Sequence, residues 1–361
     1  MKLQRFYFLL VIAATLFIMG CDDDSDPQLT IPDTYVSSNF AANTVAESTV
    51  VNELADMTGD ANDAEANAQS GTVVAPINYP ATLASVTLDS YEDLIEDWLV
   101  ELVAAANSPT RFQNPGLNGT PVVGEEGGLL GSRLVDENGL ELEQMIQKGS
   151  FGAALYNHAL SVINGDLSDP GAIDKLVEVF GTETTFNPEN TTAAATYARR
   201  RSFSQREEGL FFDIKNNLIT ARAAIEAGSS FNTERDQALD EFLLNWEKSN
   251  FATVIYYCDA TRRFLQQGTD ESTQGTAIHA YAEGVAFAHG FRRIANKRIT
   301  DDQIDQILDL LLAPVNGTPE SHRFLNDASL LQNLQDVIDL IQGIYNFTDD
   351  EVTNFFTNDP V

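Results

Sequence analysis

The sequence predicts an all-α protein, built from helical bundles joined by long loops, on three observations. From Asp89 onward, apolar residues recur at spacings of three and four, as in YEDLIEDWLVELVAAANS, where Leu94, Trp98, Leu102 and Ala105 share one stripe. Start and stop residues punctuate these runs, with Asp89-Ser90 ahead of the first and Asn-Gly closing FGAALYNHALSVING. Convincing runs of period-two alternation are missing, so no extensive sheet is expected.

Before that helical text the chain has a different character. Residues 1–20, MKLQRFYFLLVIAATLFIMG, carry Lys2 and Arg5 and then an uncharged stretch from Phe6 to Gly20. This is the pattern of a signal peptide, and the apolar run is too short to span a bilayer comfortably. Ile18-Met19-Gly20-Cys21 resembles a bacterial lipobox. The resemblance implies that Cys21 becomes the mature N-terminus and carries a diacylglycerol on sulfur, a stable anchor once further acylated. Acidic residues directly behind it, Asp22 to Asp24, resemble an export signal for the outer face of the outer membrane in some Gram-negative lineages. The expected location is therefore a lipid-anchored, surface-exposed position in the cell envelope. Residues 21–88 are rich in Asp, Asn, Ala, Ser and Thr, and predict an acidic, polar tether with one short extended segment, TVVAPINYP, docking on the body.

Residues 89–358 form the expected helical domain. Beyond the first helix, helical patterns occupy about 206–227, 233–267 with a break near Asn250, 275–296, 301–312 and 327–345. DPGAIDKLVEVFG and DDEVTNFF add shorter helices. Loops at 108–138 and 181–205 connect them.

Composition excludes several functions. A formal net charge of −33 repels nucleic acid and anionic headgroups, so no nucleic-acid partner is expected. The chain has 2 cysteines, and with Cys21 lipidated Cys258 has no partner, so it predicts a buried small hydrophobe. GEEGGLLGS lacks the Lys-Ser/Thr ending of a phosphate loop, and GDANDAEAN lacks the glycine and terminal glutamate of a calcium loop. The basic run ARRRSFSQR predicts a solvated loop or a neutraliser of nearby acids, with an anionic partner as the alternative. Nucleophile elbows, His-Glu-x-x-His and Cys-x-x-Cys are absent from the sequence.

The most informative helix is GTAIHAYAEGVAFAHGFRRIANKR, residues 275–298. Ile278, Tyr281, Ala282, Val285 and His289 share one arc and Phe287, Phe291 and Ile294 the other, so it is expected to lie buried between neighbours. Its alternating Gly and Ala would let those neighbours come close. His279 and Glu283, four residues apart, meet on one face, with Arg293 near the same side. They are the candidate ligand-binding residues and the candidate ligands of a divalent metal or iron. The bland alternative is a buried polar pair satisfied by itself and Arg293. His158 predicts packing, His322 a surface helix start, and Glu247 a buried partner for an arginine.

VDENGLELEQMIQKGSFGAALYNH, LLNWEKSNFATVIYYCD and AYAEGVAFAHGFR resemble signature stretches of an uncharacterised, Bacteroidetes-type Gram-negative lipoprotein family. That family is similar in fold to the imelysin-like, iron-regulated helical proteins, and the resemblance covers about 89–350. It implies an imelysin-like helical bundle and a Gly-x-His-x-x-Glu motif serving metal binding or peptidase action. Here His279-Ala-Tyr-Ala-Glu283 is one residue too long, and Ala277 stands where the glycine belongs. The expectation is thus a non-catalytic envelope lipoprotein that binds a metal or small nutrient, in connection with iron uptake. The alternatives are a metallopeptidase and an acidic scaffold for an envelope partner.

Overall fold

The protein is described from a computed structural model covering residues 27–108, 111–112, 127–315 and 320–360. Cys21 and the signal segment lie outside the described residues. The fold is all-α, as the apolar spacing predicts. The described strands form two small antiparallel hairpins, β1 (Gly128–Leu130) with β2 (Arg133–Val135), and β3 (Ser202–Phe203) with β4 (Glu208–Gly209).

The N-terminal part departs from expectation. Residues 21–88 are not a tether throughout: after α1 (Phe40–Asn43), α2 runs from Val45 to Ser70 and belongs to the body. Val50, Leu54, Met57, Ala61 and Ala64 are buried at alternating spacings of four and three, against α4 (Asp89–Asn107), α5 (Leu142–Ser150) and α7 (Gly171–Phe180). The rest of α2 is mostly Asp, Asn, Glu and small residues, which gives the segment the composition of a linker while one narrow stripe supplies its core contacts. The extended segment behind it docks as expected. Asn107 of α4 accepts from the Val74 amide at 2.8 Å and donates to its carbonyl at 2.9 Å. The short α3 (Ala81–Ala84) follows.

The centre of the molecule is α10 (Asn232–Gln267), which packs most extensively on α11 (Glu271–His289) and α9 (Leu210–Ala227). Between Trp246 and Thr261 nearly every α10 side chain is buried, which a helix achieves only with neighbours all round. The break expected near Asn250 is absent. Asn250 satisfies itself across the interface, donating to the Phe287 carbonyl of α11 at 2.9 Å. Cys258 is buried and free, and burial pushes its thiol up, as expected for a small hydrophobe.

α11 is buried on both sides, and small residues permit close approach. Its C-terminal Gly290 crosses Gly149 of α5, where a Cβ on Gly290 would collide with the Gly149 carbonyl. Downstream of α5 the helix continues as one π-helical stretch, Phe151–Tyr156, and then α6 (Asn157–Ile163). A Cβ on Gly152 there would stand 2.7 Å from the Gly290 carbonyl oxygen. At the other end of α11, Gly275 lies under the Leu130 carbonyl of β1, so the β1–β2 hairpin rests on the helix. α8 (Ala193–Arg200), α12 (Asp301–Leu310), α13 (His322–Asn326), α14 (Leu331–Tyr345) and α15 (Asp349–Phe355) complete the body.

Candidate functional site

His279 and Glu283 do share a face of α11, with His279 Nε2 3.5 Å from Glu283 Oε2. The closer partner of His279 comes from elsewhere: Nδ1 lies 2.8 Å from Oε2 of Glu141, the residue preceding α5. Both ring nitrogens therefore face carboxylates, an arrangement that favours the doubly protonated imidazolium. Burial opposes that charge, but the hydrogen bond to Glu141 and the two carboxylates outweigh it and hold the His279 pKa above its ordinary value.

The network continues on both sides. Lys148 of α5 places Nζ 3.5 Å from Glu283 Oε1, and the Tyr197 hydroxyl of α8 donates to the same oxygen at 3.3 Å. The carboxylates around it keep Lys148 charged despite its burial. Arg133 of β2 stands 3.4 Å from Glu141 Oε1 and 3.9 Å from Glu65 of α2. Burial first, and then the neighbouring Glu141, raise Glu65 to about 7. Burial likewise lifts Glu143 to about 7, against the attraction of Lys148. The result is a chain of alternating charge that ties α2, β2, α5, α8 and α11 together.

Arg293 takes no part in it. α11 ends at His289, the backbone turns through a left-handed residue at Arg293, and that side chain is exposed while its amide donates to Asp301. Lys148, not Arg293, is the cation that meets Glu283. His289 belongs to a separate apolar setting, its ring 5.5 Å from Tyr91 and 6.3 Å from Trp98.

A divalent metal or iron does not fit this donor set. A cation bound to Glu283 would compete with the Lys148 ammonium, which lies 3.5 Å from Oε1 and already neutralises that carboxylate. Among the described residues no group of three or more His, Cys, Asp or Glu is arranged to hold a metal ion. His279 and Glu283 meet on one face of α11 as predicted, and each is also engaged from another element, by Glu141 and by Lys148.

The remaining candidates resolve as structural partners. Glu247 is buried and accepts from the Arg298 and Ile299 amides, each at 2.8 Å, and from the Tyr345 hydroxyl at 2.7 Å, rather than from a guanidinium. His158 faces Glu47 at 3.4 Å. His322 is not at the surface but buried, its Nδ1 3.0 Å from the Asn138 carbonyl oxygen. The basic run is occupied by the C-terminal segment. Arg201 sits 4.4 Å from the Tyr256 ring centre and donates to the Phe355 carbonyl and to Asn358, while Arg199 pairs with Asp359. Burial lowers Arg201 to about 10.

Two pockets that the sequence did not signal meet at Ile163 and Asn164, the end of α6. One, of about 370 Å³, runs between Asp240 and Leu244 of α10 and the Asn296–Arg298 turn. The other, of about 670 Å³, is lined by Asp166, Ser168, Asn232 and Arg235. Neither is lined by a member of the charged network. Fold and site together define an all-α bundle protein with a closed internal ion network and an open polar groove. The chain matches no protein-family model, no curated protein and no solved structure.

Proposed function

We propose that this protein is a cell-envelope lipoprotein, anchored through lipid on Cys21 at the outer membrane and exposed at the surface, with a non-catalytic binding role. The observation that carries the reading is the sequence Ile18-Met19-Gly20-Cys21 behind a basic, then apolar, leader. The groove around Ile163 and Asn164 supports the binding role, since it is concave, solvent-facing and lined by polar groups of both charges. It suits a small polar nutrient rather than a bare metal ion.

Intact-protein mass spectrometry tests the anchor. The expected product begins at Cys21 and carries acyl groups, and Cys21→Ser leaves the precursor unprocessed; a mature N-terminus elsewhere sinks the reading. Protease shaving of intact cells checks the exposed location. For the binding role, Asn164→Trp fills the junction of the two pockets. A small polar compound that raises the melting temperature of the wild type is expected to lose that effect in this variant.

A further inference from the structure

The first described residue, Pro27, stands six positions after Cys21, and the chain first becomes buried at Tyr35. Pro27 and Ile31 line the rim of a surface pocket whose other wall is Asn217 and Thr220 of α9 and Gln237 and Glu241 of α10, with Ile31 still half exposed. A few residues later, buried Asp174 of α7 clasps the segment. Its Oδ1 accepts from the Tyr35 hydroxyl at 2.5 Å, and its Oδ2 from Ser37 at 2.8 Å and Asn43 at 2.7 Å. Arg222 of α9 closes the clasp from the other side, 2.8 Å from Oδ1. Tyr35 itself is buried, edge-on to Phe186.

Two further facts bear on what this strap faces. Six fully extended residues span about 20 Å, so the α9–α10 face at Pro27 stays within that reach of the Cys21 sulfur. Exposed large apolar side chains also concentrate on this segment: Ile31, Val36 and Val45 are 51%, 64% and 65% exposed. Single exposed residues of this kind are ordinary, but three of the five large apolar side chains most exposed among the described residues fall within 31–45, the segment that follows Cys21.

We infer that the strap of residues 27–45 is the membrane-facing surface of the protein, with Ile31 and Val36 resting on the bilayer beside the lipid carried by Cys21. This rests on the lipoprotein reading of Cys21. The partner is a lipid surface of low negative charge, because Asp22, Asp23, Asp24 and Asp26 lie between the lipid and the strap and are repelled by anionic headgroups. The clasp at Asp174 makes the contact directional: the body is held in one orientation instead of pivoting about a long tether.

The lipidated full chain, carrying Cys258→Ala and reconstituted in phosphatidylcholine–phosphatidylethanolamine vesicles, tests this. A fluorescent label is placed at Val36→Cys or, for comparison, at Val100→Cys on α4, which is 71% exposed in the native chain. Spin-labelled lipids are expected to quench the label at position 36 several-fold more than the label at 100. Equal quenching at the two positions, with acylated Cys21 confirmed by mass, overturns the orientation and leaves the anchor standing. An unacylated Cys21 overturns both.

Discussion

His279 of α11 and Glu141 ahead of α5 are 138 residues apart in sequence and 2.8 Å apart in space, and this one contact turns an isolated helical pair into a network. With Glu283 on the other ring nitrogen, His279 is held charged, and the sign of its contribution to stability follows. Its folded-state pKa lies above the unfolded value, so the stabilisation is complete below about pH 6.5 and disappears as the pH rises through the folded pKa. Glu65 and Glu143, both raised to about 7, act in the same direction over a lower window that begins at their unfolded values. Urea unfolding as a function of pH should show stability falling above about 6.5. His279→Gln should cost about 2 kcal/mol at pH 6 and flatten that part of the profile. An unchanged slope in the variant would show that His279 is neutral in the native state.

His289 gives the opposite dependence from the same helix. Burial first, and then the nearby Arg292, lower its pKa to about 4. A depressed folded-state value means that the unfolded chain takes up the proton first, so this stability is present above about pH 6.5 and is lost as the pH falls toward 4. A lowering to about 4 corresponds to about 3 kcal/mol. His289→Phe keeps a ring against Tyr91 and Trp98 and removes the titration. The variant should therefore hold its melting temperature better than the wild type between pH 6 and 4.5, as calorimetry would show.

Much of the fold was legible because burial leaves a periodic trace. α4 and α14 carry wide apolar stripes, and α11 is apolar on both sides, so each stands out in the sequence. α2 does not, since three of the five residues in its stripe, Met57, Ala61 and Ala64 beside Val50 and Leu54, are alanine or methionine, and the stripe is interleaved with Asp and Asn. Asn250 has the look of a break because a polar residue inside a helix gives no sign of a partner on another helix. At the site, the i,i+4 rule delivers His279 and Glu283, but no local rule delivers Glu141, Lys148 or Tyr197. The weak signal for two of these is LELEQMIQKG, where charges alternate with residues that are all needed inside. Arg293 was misplaced for a simpler reason: angular projection assumes a continuing helix, and α11 stops four residues before it.

The strap depends on one carboxylate. Asp174 is fully buried and accepts from Tyr35, Ser37, Asn43 and Arg222, so a substitution that removes it strands the buried Tyr35 hydroxyl and leaves Arg222 to the Pro170 carbonyl and Glu226. Asp174→Ala should destabilise by about 3 kcal/mol. Asp174→Asn keeps the shape but halves the acceptor capacity, and should cost less. Limited proteolysis separates local from global effects. In Asp174→Asn, cleavage between residues 27 and 44 should accelerate while the α10–α11 core stays intact. Uniform acceleration across the chain would mean that Asp174 supports the whole body rather than the strap.

The crossing of α5 and α11 is fixed by backbone contact, and that contact sets the spacing of the ion network. Gly149 and Gly290 touch without side chains between them, and Gly149 also receives the Tyr91 hydroxyl, which donates to the Met145 carbonyl at 2.7 Å. Lys148 and Glu283 sit beside this crossing on the same two helices, at 3.5 Å, a distance that has little slack. Gly290→Ala puts a methyl into the Gly149 carbonyl with no flexible side chain to give way, so the helices must separate. Overpacking of this kind costs about 3 kcal/mol when backbone is the obstacle. Since Gly290 has an ordinary helical φ of −63°, alanine is acceptable there on conformational grounds, and any loss reports the clash alone. The separation should also loosen Lys148 from Glu283. Gly290→Ala combined with Lys148→Met should then destabilise by less than the sum of the two single changes. Strict additivity in that double-mutant cycle would show that the crossing and the ion network are independent.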